Sequence, residues 1–395
     1  VAGRRRVSRS SVVLLCLLLV SLVACGGRSA ADSVRTEVQA VLDRRAGALL
    51  DRDRAAYAAT GTRAGFDRVG AVPLADWSYR VGEVTRAGAT ATAAVELRYR
   101  LAGYDAGAVG AGRTVRLERA DGTWRVTSDR PAKKSGRQPW DQGTVHVVRG
   151  AHSLVLGVGQ SDGALRGYAA LADRAVPAVS EAWDGDWAQR VVVIVPRSLE
   201  DMAGLLGSPA SSYRGIAAVT TGETGGRSDA PADRIVVNPD AYGLLGSLGK
   251  QVVLTHETTH VATRAHTTAA TPLWLSEGYA DWAGYRGTGR TPAEAAPELA
   301  RAVADGRVPD ALPADDDFGF TDDATELARA YEGGWMACRL IAEEWGEARL
   351  GAFYRAVGAH PERDGAVEDA MRRVLGTTPE EFTPRWGEYL REEFG

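Results

Sequence analysis

The chain has 395 residues, enough for more than one domain. Its 47 basic and 51 acidic residues are interspersed and leave a net charge of −4, with no basic stripe, which excludes an electrostatically driven nucleic-acid binder. Three cysteines in so long a chain exclude a disulfide-stapled scaffold.

In chain order, Arg4, Arg5, Arg6 and Arg9 precede an apolar run from Val12 to Ala24 that only Ser21 interrupts. Thirteen residues are too few to span a bilayer comfortably, so residues 1–24 read as a targeting segment. Leu22-Val23-Ala24-Cys25-Gly26 resembles a bacterial lipobox. Cleavage before Cys25 would make its thiol the point of lipid attachment, and two acyl chains give durable anchoring to the outer face of the cell membrane. Residues 25–33 then form a lipidated tether, whose eight residues after Cys25 reach at most about 28 Å. No transmembrane segment is expected after it.

Val34 to Leu50 reads as a helix with Val34, Val38, Val41, Leu42, Ala46 and Leu49 on one stripe, and a short helix follows over Arg52–Ala59. From Trp77 the pattern has period two. Strands are expected over Trp77–Arg86, Ala89–Leu101, Arg113–Arg119 and Thr123–Ser128, with Asp121-Gly122 as a hairpin turn. Helices followed by a four-stranded meander give an α+β domain over 34–129, similar in pattern to NTF2-like or cystatin-like cones. No catalytic constellation falls in it. Residues 130–143, with Pro131, Gly136 and Pro139, read as a linker.

The second domain, 144–395, opens with strands Thr144–Arg149 and Ser153–Val158 and a helix over Ser161–Trp183, which Pro177 should kink or split. Val191–Val195 is a continuous apolar run, a central strand by its composition. Ile216–Thr221 and Arg234–Asn238 are further strands. A helix from about Gly246 to Arg264 follows. Its four threonines (255, 258, 259, 263) are poor helix formers, so burial must hold it. Residues beyond Thr321 are expected to be helical. Cys338 shares a helical stripe with Tyr331, Trp335 and Ala342 and reads as a buried thiol.

The chemistry concentrates in His256-Glu257-Thr258-Thr259-His260 and in Glu277, seventeen positions after His260. On a helix, i and i+4 share a face, so both imidazoles can reach one ion, with Glu257 turned toward a water there. Glu277 follows the break at Pro272 and would complete two histidines and a carboxylate, the donor set of a hydrolytic zinc site holding one Zn²⁺. Asp281, at i+4 from Glu277, can accept the N–H of a ligand histidine.

His256 to His260, together with Pro272-Leu273-Trp274-Leu275-Ser276-Glu277-Gly278-Tyr279-Ala280-Asp281, resembles the gluzincin metallopeptidases, in particular the peptidase MA-like branch related to thermolysin and to the leukotriene-hydrolase aminopeptidases. Tyr331-Glu332-Gly333-Gly334-Trp335 is similar to the Tyr-Glu-x-Gly helix of the aminopeptidases. The resemblance implies a mixed sheet with a helical lobe, zinc on His256, His260 and Glu277, Glu257 as general base, and Tyr331 as donor to the oxyanion. It implies a peptide or protein substrate that pairs with an edge strand, for which Arg234, Ile235, Val236, Val237 and Asn238 are the candidates. The spacing from His260 to Glu277 is two residues shorter than in the aminopeptidases. Their Gly-x-Met-Glu-Asn block, which holds a substrate amine, is absent, and that leans the reading toward an endopeptidase. Two other readings fit the same residues. One is a non-catalytic binding or scaffold lipoprotein with a structural or vestigial zinc site, where His266 is the obvious fourth ligand. The other is a zinc amidase acting on cell-wall peptide.

Overall fold

The computed structural model describes residues 32–222, 230–319 and 324–395. The expected targeting segment, Cys25 and most of the tether lie outside the described residues. Over the described residues the protein is mixed α and β, with two sheets in two compact units. The first holds the described residues up to Gly70 with Leu74–Arg100 and Val109–Ser135. The second holds Ala71–Pro73, Leu101–Ala108 and Gly136–Gly395. The expected first domain therefore gives up the loop Leu101–Ala108, whose Asp105 carboxylate accepts both the backbone N–H of Ala232 and the guanidinium of Arg234.

In the first unit, α1 (residues 32–50) buries all six members of the stripe read from sequence. Helices α2 (Arg54–Ala59) and α3 (Ala64–Val69) follow, the second unforeseen. Strands β1 (Leu74–Ala87), β2 (Thr90–Leu101), β3 (Val109–Ala120) and β4 (Thr123–Pro131) form a meander in that order. The β3–β4 turn places Asp121 and Gly122 at φ 52° and 76°, the left-handed pair that a two-residue hairpin needs. Strict alternation of buried residues with exposed or half-buried ones along β2 turns one sheet face inward. Arg45 is buried there, donating to Thr60 Oγ1 at 3.0 Å and to the Thr62 carbonyl at 2.7 Å.

In the second unit, the expected linker carries structure. β4 runs to Pro131, and Pro139–Gln142 forms a helical turn, α4, with a Gln138/Asp141 capping box and a buried Trp140. Strands β5 (Val145–Arg149) and β6 (Ser153–Val158) precede α5 (Asp162–Ala182), which runs as one element through Pro177. Next come β7 (Val191–Val195), α6 (Leu199–Leu206), β8 (Ala218–Thr221), β9 (Arg234–Val237), α7 (Pro239–Leu244), α8 (Ser247–Thr263) and α9 (Leu273–Tyr285). Helices α10 (Pro292–Ala295) and α11 (Pro297–Ala304) follow, neither expected from the sequence. The lobe closes with α12 (Ala324–Trp345), α13 (Glu347–Gly358), α14 (Ala366–Ala370) running into a π-helical turn, and α15 (Pro379–Phe394).

The second sheet has the order β5-β6-β7-β9-β8, with β7 central as expected. β6, β7 and β9 are parallel, while β5 and β8 run antiparallel to their neighbours. This corrects the expected edge strand: Arg234–Val237 lies between β7 and β8, and the edge beside it is Ala218–Thr221. The reason is in the sequence. Ile235, Val236 and Val237 are all buried, the composition of a strand covered on both faces. Asn238 is no strand residue but the N-cap of α7, accepting from the Asp240 and Ala241 amides. Arg234 turns its guanidinium to the buried Asp105 carboxylate, 2.9 Å away.

Apolar faces of α5 and α8 (Leu165, Ala169, Ala172, Val176; Leu254) pack against sheet residues Val155, Val193, Val195 and Ile235. A second core joins α9, α12, α13 and α15 through Leu275, Met336, Leu340, Phe353 and Trp386. α8 and α9 thus sit between a sheet core and a helical core, so the side chains they present to one another are set on rigid elements. Among the described residues no helix is long and apolar enough to cross a membrane.

Candidate metal centre

Helix α8 forms despite its threonines because they face inward. Thr255, Thr259 and Thr263 are buried, and each Oγ1 donates to the carbonyl one turn back, at 2.8 to 3.0 Å. Their polar atoms are satisfied within the helix, so this face can be buried against the neighbouring elements; Thr258, also buried, is the exception, its Oγ1 having no partner among the described residues. That burial turns His256 and His260 toward α9.

Helix α9 meets α8 and α12 through glycines. A Cβ on Gly284 would lie 3.2 Å from the Val252 carbonyl of α8. A Cβ on Gly334 of α12 would come within 2.6 Å of the Trp274 carbonyl of α9, and one on Gly278 would overlap the Gly334 carbonyl. The backbones of α9 and α12 therefore touch on both sides of Glu277. This brings the carboxylate of Glu277 to the histidines and brings Tyr331, one turn before Gly334, within electrostatic reach of Glu277, Asp281 and Glu257.

His256, His260 and Glu277 converge. His260 Nε2 is 3.0 Å from His256 Nε2, and Glu277 Oε2 is 3.3 and 3.4 Å from these two nitrogens. A tetrahedral zinc with bonds of about 2.05 Å has ligand–ligand edges of about 3.3 Å, so this triangle is one face of such a tetrahedron. Asp281 Oδ1 is 2.8 Å from His256 Nδ1. A carboxylate only accepts, so Nδ1 carries the proton and Nε2 turns its lone pair toward the other two donor atoms. Among the described residues these three are the group of histidine, cysteine or acidic side chains placed to hold an ion. His266 does not join them: its ring lies against Trp183, 5.5 Å between centroids.

The electrostatics are those of donors crowded together. Burial alone would push His256 down, but Asp281 and Glu277 lift it well above its ordinary value. Burial pushes Glu277 up, and the two imidazoles more than reverse it, holding the carboxyl well below the usual carboxylate range. Burial, then the charges of Glu277, Asp281 and Glu257, push the Tyr331 hydroxyl up, so it keeps its proton and can act as a donor.

Two further placements were not legible beforehand. Thr220 of β8 donates to Glu257 Oε2 at 2.6 Å. Glu332, next to Tyr331, accepts from the Leu299 and Glu298 amides at 2.6 and 3.3 Å and caps α11 from another helix. Composition gives no sign of either contact, since both join residues far apart in the chain. Cys338 is fully buried, as expected from its stripe, and burial pushes its thiol up. No protein-family model matches the chain, and no curated protein matches it.

Proposed function

We propose that this protein is a zinc-dependent peptidase of gluzincin type that cuts internal peptide bonds outside the cytoplasmic membrane, tethered by lipid at Cys25. The observation that carries this reading is the triangle of His256 Nε2, His260 Nε2 and Glu277 Oε2, with edges of 3.0 to 3.4 Å. Three protein ligands suit a hydrolytic centre, whereas a closed structural site takes four. Zinc held there would acidify a water and polarise the scissile carbonyl.

The remaining work falls to side chains. Glu257 takes a proton from the attacking water at its carboxylate and passes it to the leaving amine. The Tyr331 hydroxyl donates to the carbonyl oxygen, more strongly as negative charge develops there. Asp281 fixes the tautomer and ring of His256. An extended substrate would add to the sheet at β8, whose Thr220 touches Glu257, and not at the interior Arg234–Val237. The first unit, helices followed by a four-stranded meander, suits an NTF2-like or cystatin-like cone serving as spacer or docking module.

The test is cleavage of a peptide library by the full chain, with and without a chelator, beside Glu257→Gln. Chelator-sensitive internal cleavage that Glu257→Gln abolishes supports the reading. Cleavage that persists in Glu257→Gln removes it.

A further inference from the structure

We infer that Thr220 is a positioning residue that locks the general base to the edge strand. Its single hydroxyl proton has two acceptors in reach: Glu257 Oε2 at 2.6 Å and the Glu257 carbonyl at 3.1 Å. The shorter contact is a charge-assisted hydrogen bond by its length. Glu257 is 7% exposed, so its carboxylate has little water to compete for that bond. Oε1 takes no hydrogen bond from any described residue. The two oxygens thus divide: Oε2 is held by the strand, and Oε1 is left for proton transfer.

The strand suits this task. Thr220 pairs with Ile235, which is fully buried in the sheet core, so its backbone is fixed from inside. A β-branched side chain on a strand has few χ1 options, so a fixed backbone aims the hydroxyl. Helix α8 supplies Glu257 together with His256 and His260, and β8 supplies the hydroxyl. The contact therefore ties the base and both ligand histidines to the edge at which a substrate strand would pair. A carboxylate side chain has three rotatable bonds, and held within about 0.5 Å of its working position it transfers protons far faster than one that wanders.

The catalytic part of this inference rests on the peptidase reading, while the contact itself does not, and the test separates them. In the metal-free protein, Thr220→Val and Glu257→Ala are combined in a double-mutant cycle on chemical unfolding. The expected coupling is about tenfold in the unfolding equilibrium constant. Effects that simply add overturn the contact. On a cleaved peptide, Thr220→Val should lower kcat at least tenfold with KM within about twofold and zinc content unchanged, and Thr220→Ser, which restores the donor, should return kcat to within about threefold of the parent. Parental kcat in Thr220→Val, with Glu257→Gln inactive, overturns the positioning role alone. An active Glu257→Gln removes the peptidase reading instead, and the unfolding cycle still decides whether Thr220 holds the carboxylate.

Discussion

Gly334→Ala tests how the fold sets the metal site. A methyl at Gly334 would lie 2.6 Å from the Trp274 carbonyl oxygen, where carbon and oxygen approach comfortably to about 3.3 Å, so α9 and α12 must part by about 0.7 Å. The neighbour is backbone and cannot rotate away. Trp274 precedes Glu277 by three residues on the same helix, and Gly278 is pressed against Gly334 from the other side, so the displacement passes to Glu277. Metal ligands tolerate about 0.2 Å, and a shift several times larger should weaken zinc binding at least tenfold. Overpacking costs about 1–3 kcal/mol and the helix gains about 0.5–1 kcal/mol from alanine, so the net loss lies between about 0 and 2.5 kcal/mol. Chelator competition reads the affinity and urea unfolding the stability. Gly167→Ala, mid-helix with nothing within 4 Å of its new methyl, serves as the control and should stabilise by about 0.5–1 kcal/mol. Unchanged zinc affinity in Gly334→Ala, with α9 and α12 as close as before, would show that this helix contact does not place Glu277.

Asp281→Asn should lower zinc affinity by about ten- to a hundredfold without unfolding the protein, because an amide no longer selects the Nδ1–H tautomer of His256; an unaltered affinity in chelator competition would remove Asp281 from the site. Tyr331→Phe should lower kcat by about a hundredfold with little change in KM, since its hydroxyl acts on charge present in the transition state; equal kcat would return Tyr331 to a packing role. Glu332 should make stability pH-dependent. Burial pushes its carboxyl from the ordinary 4.5 up to about 7, so the folded state holds a proton that the unfolded state has released. Its contribution is full below about 4.5 and is lost as pH rises through about 7. For a partly solvated group this is about 1 kcal/mol after screening. Glu332→Gln keeps one acceptor for the α11 amides, enough for the shorter bond from Leu299, and should flatten that slope in urea melts between about pH 4.5 and 8; the same slope in the variant would assign it elsewhere.

Local features were legible in the sequence and long-range ones were not. The i, i+4 histidines, the Asp121-Gly122 turn and the apolar stripe of α1 depend on neighbours within one turn, and each holds in the fold. Strand order depends on crossovers. Nothing between Thr221 and Arg234 says that β9 pairs with β7 as well as β8, although the unbroken Ile-Val-Val run signalled an interior strand. α4 was hidden within a polar stretch, where Trp140 and the Gln138/Asp141 box were the available signs. The glycines beside Glu277 and Tyr331 were visible as residues, but their work, letting two helix backbones touch, appears only once α9 and α12 are packed. Thr220 lay within an expected strand, and its bond to Glu257 spans 37 positions.

The decisive quantity is the zinc content of the purified chain. After dialysis from zinc-replete buffer, the parent and Glu257→Gln should each hold about one equivalent per chain, and the ion should be lost when His256, His260 or Glu277 is replaced by alanine. A parent that stays metal-free under these conditions, or full zinc occupancy after any one of the three is replaced, would rule out this site.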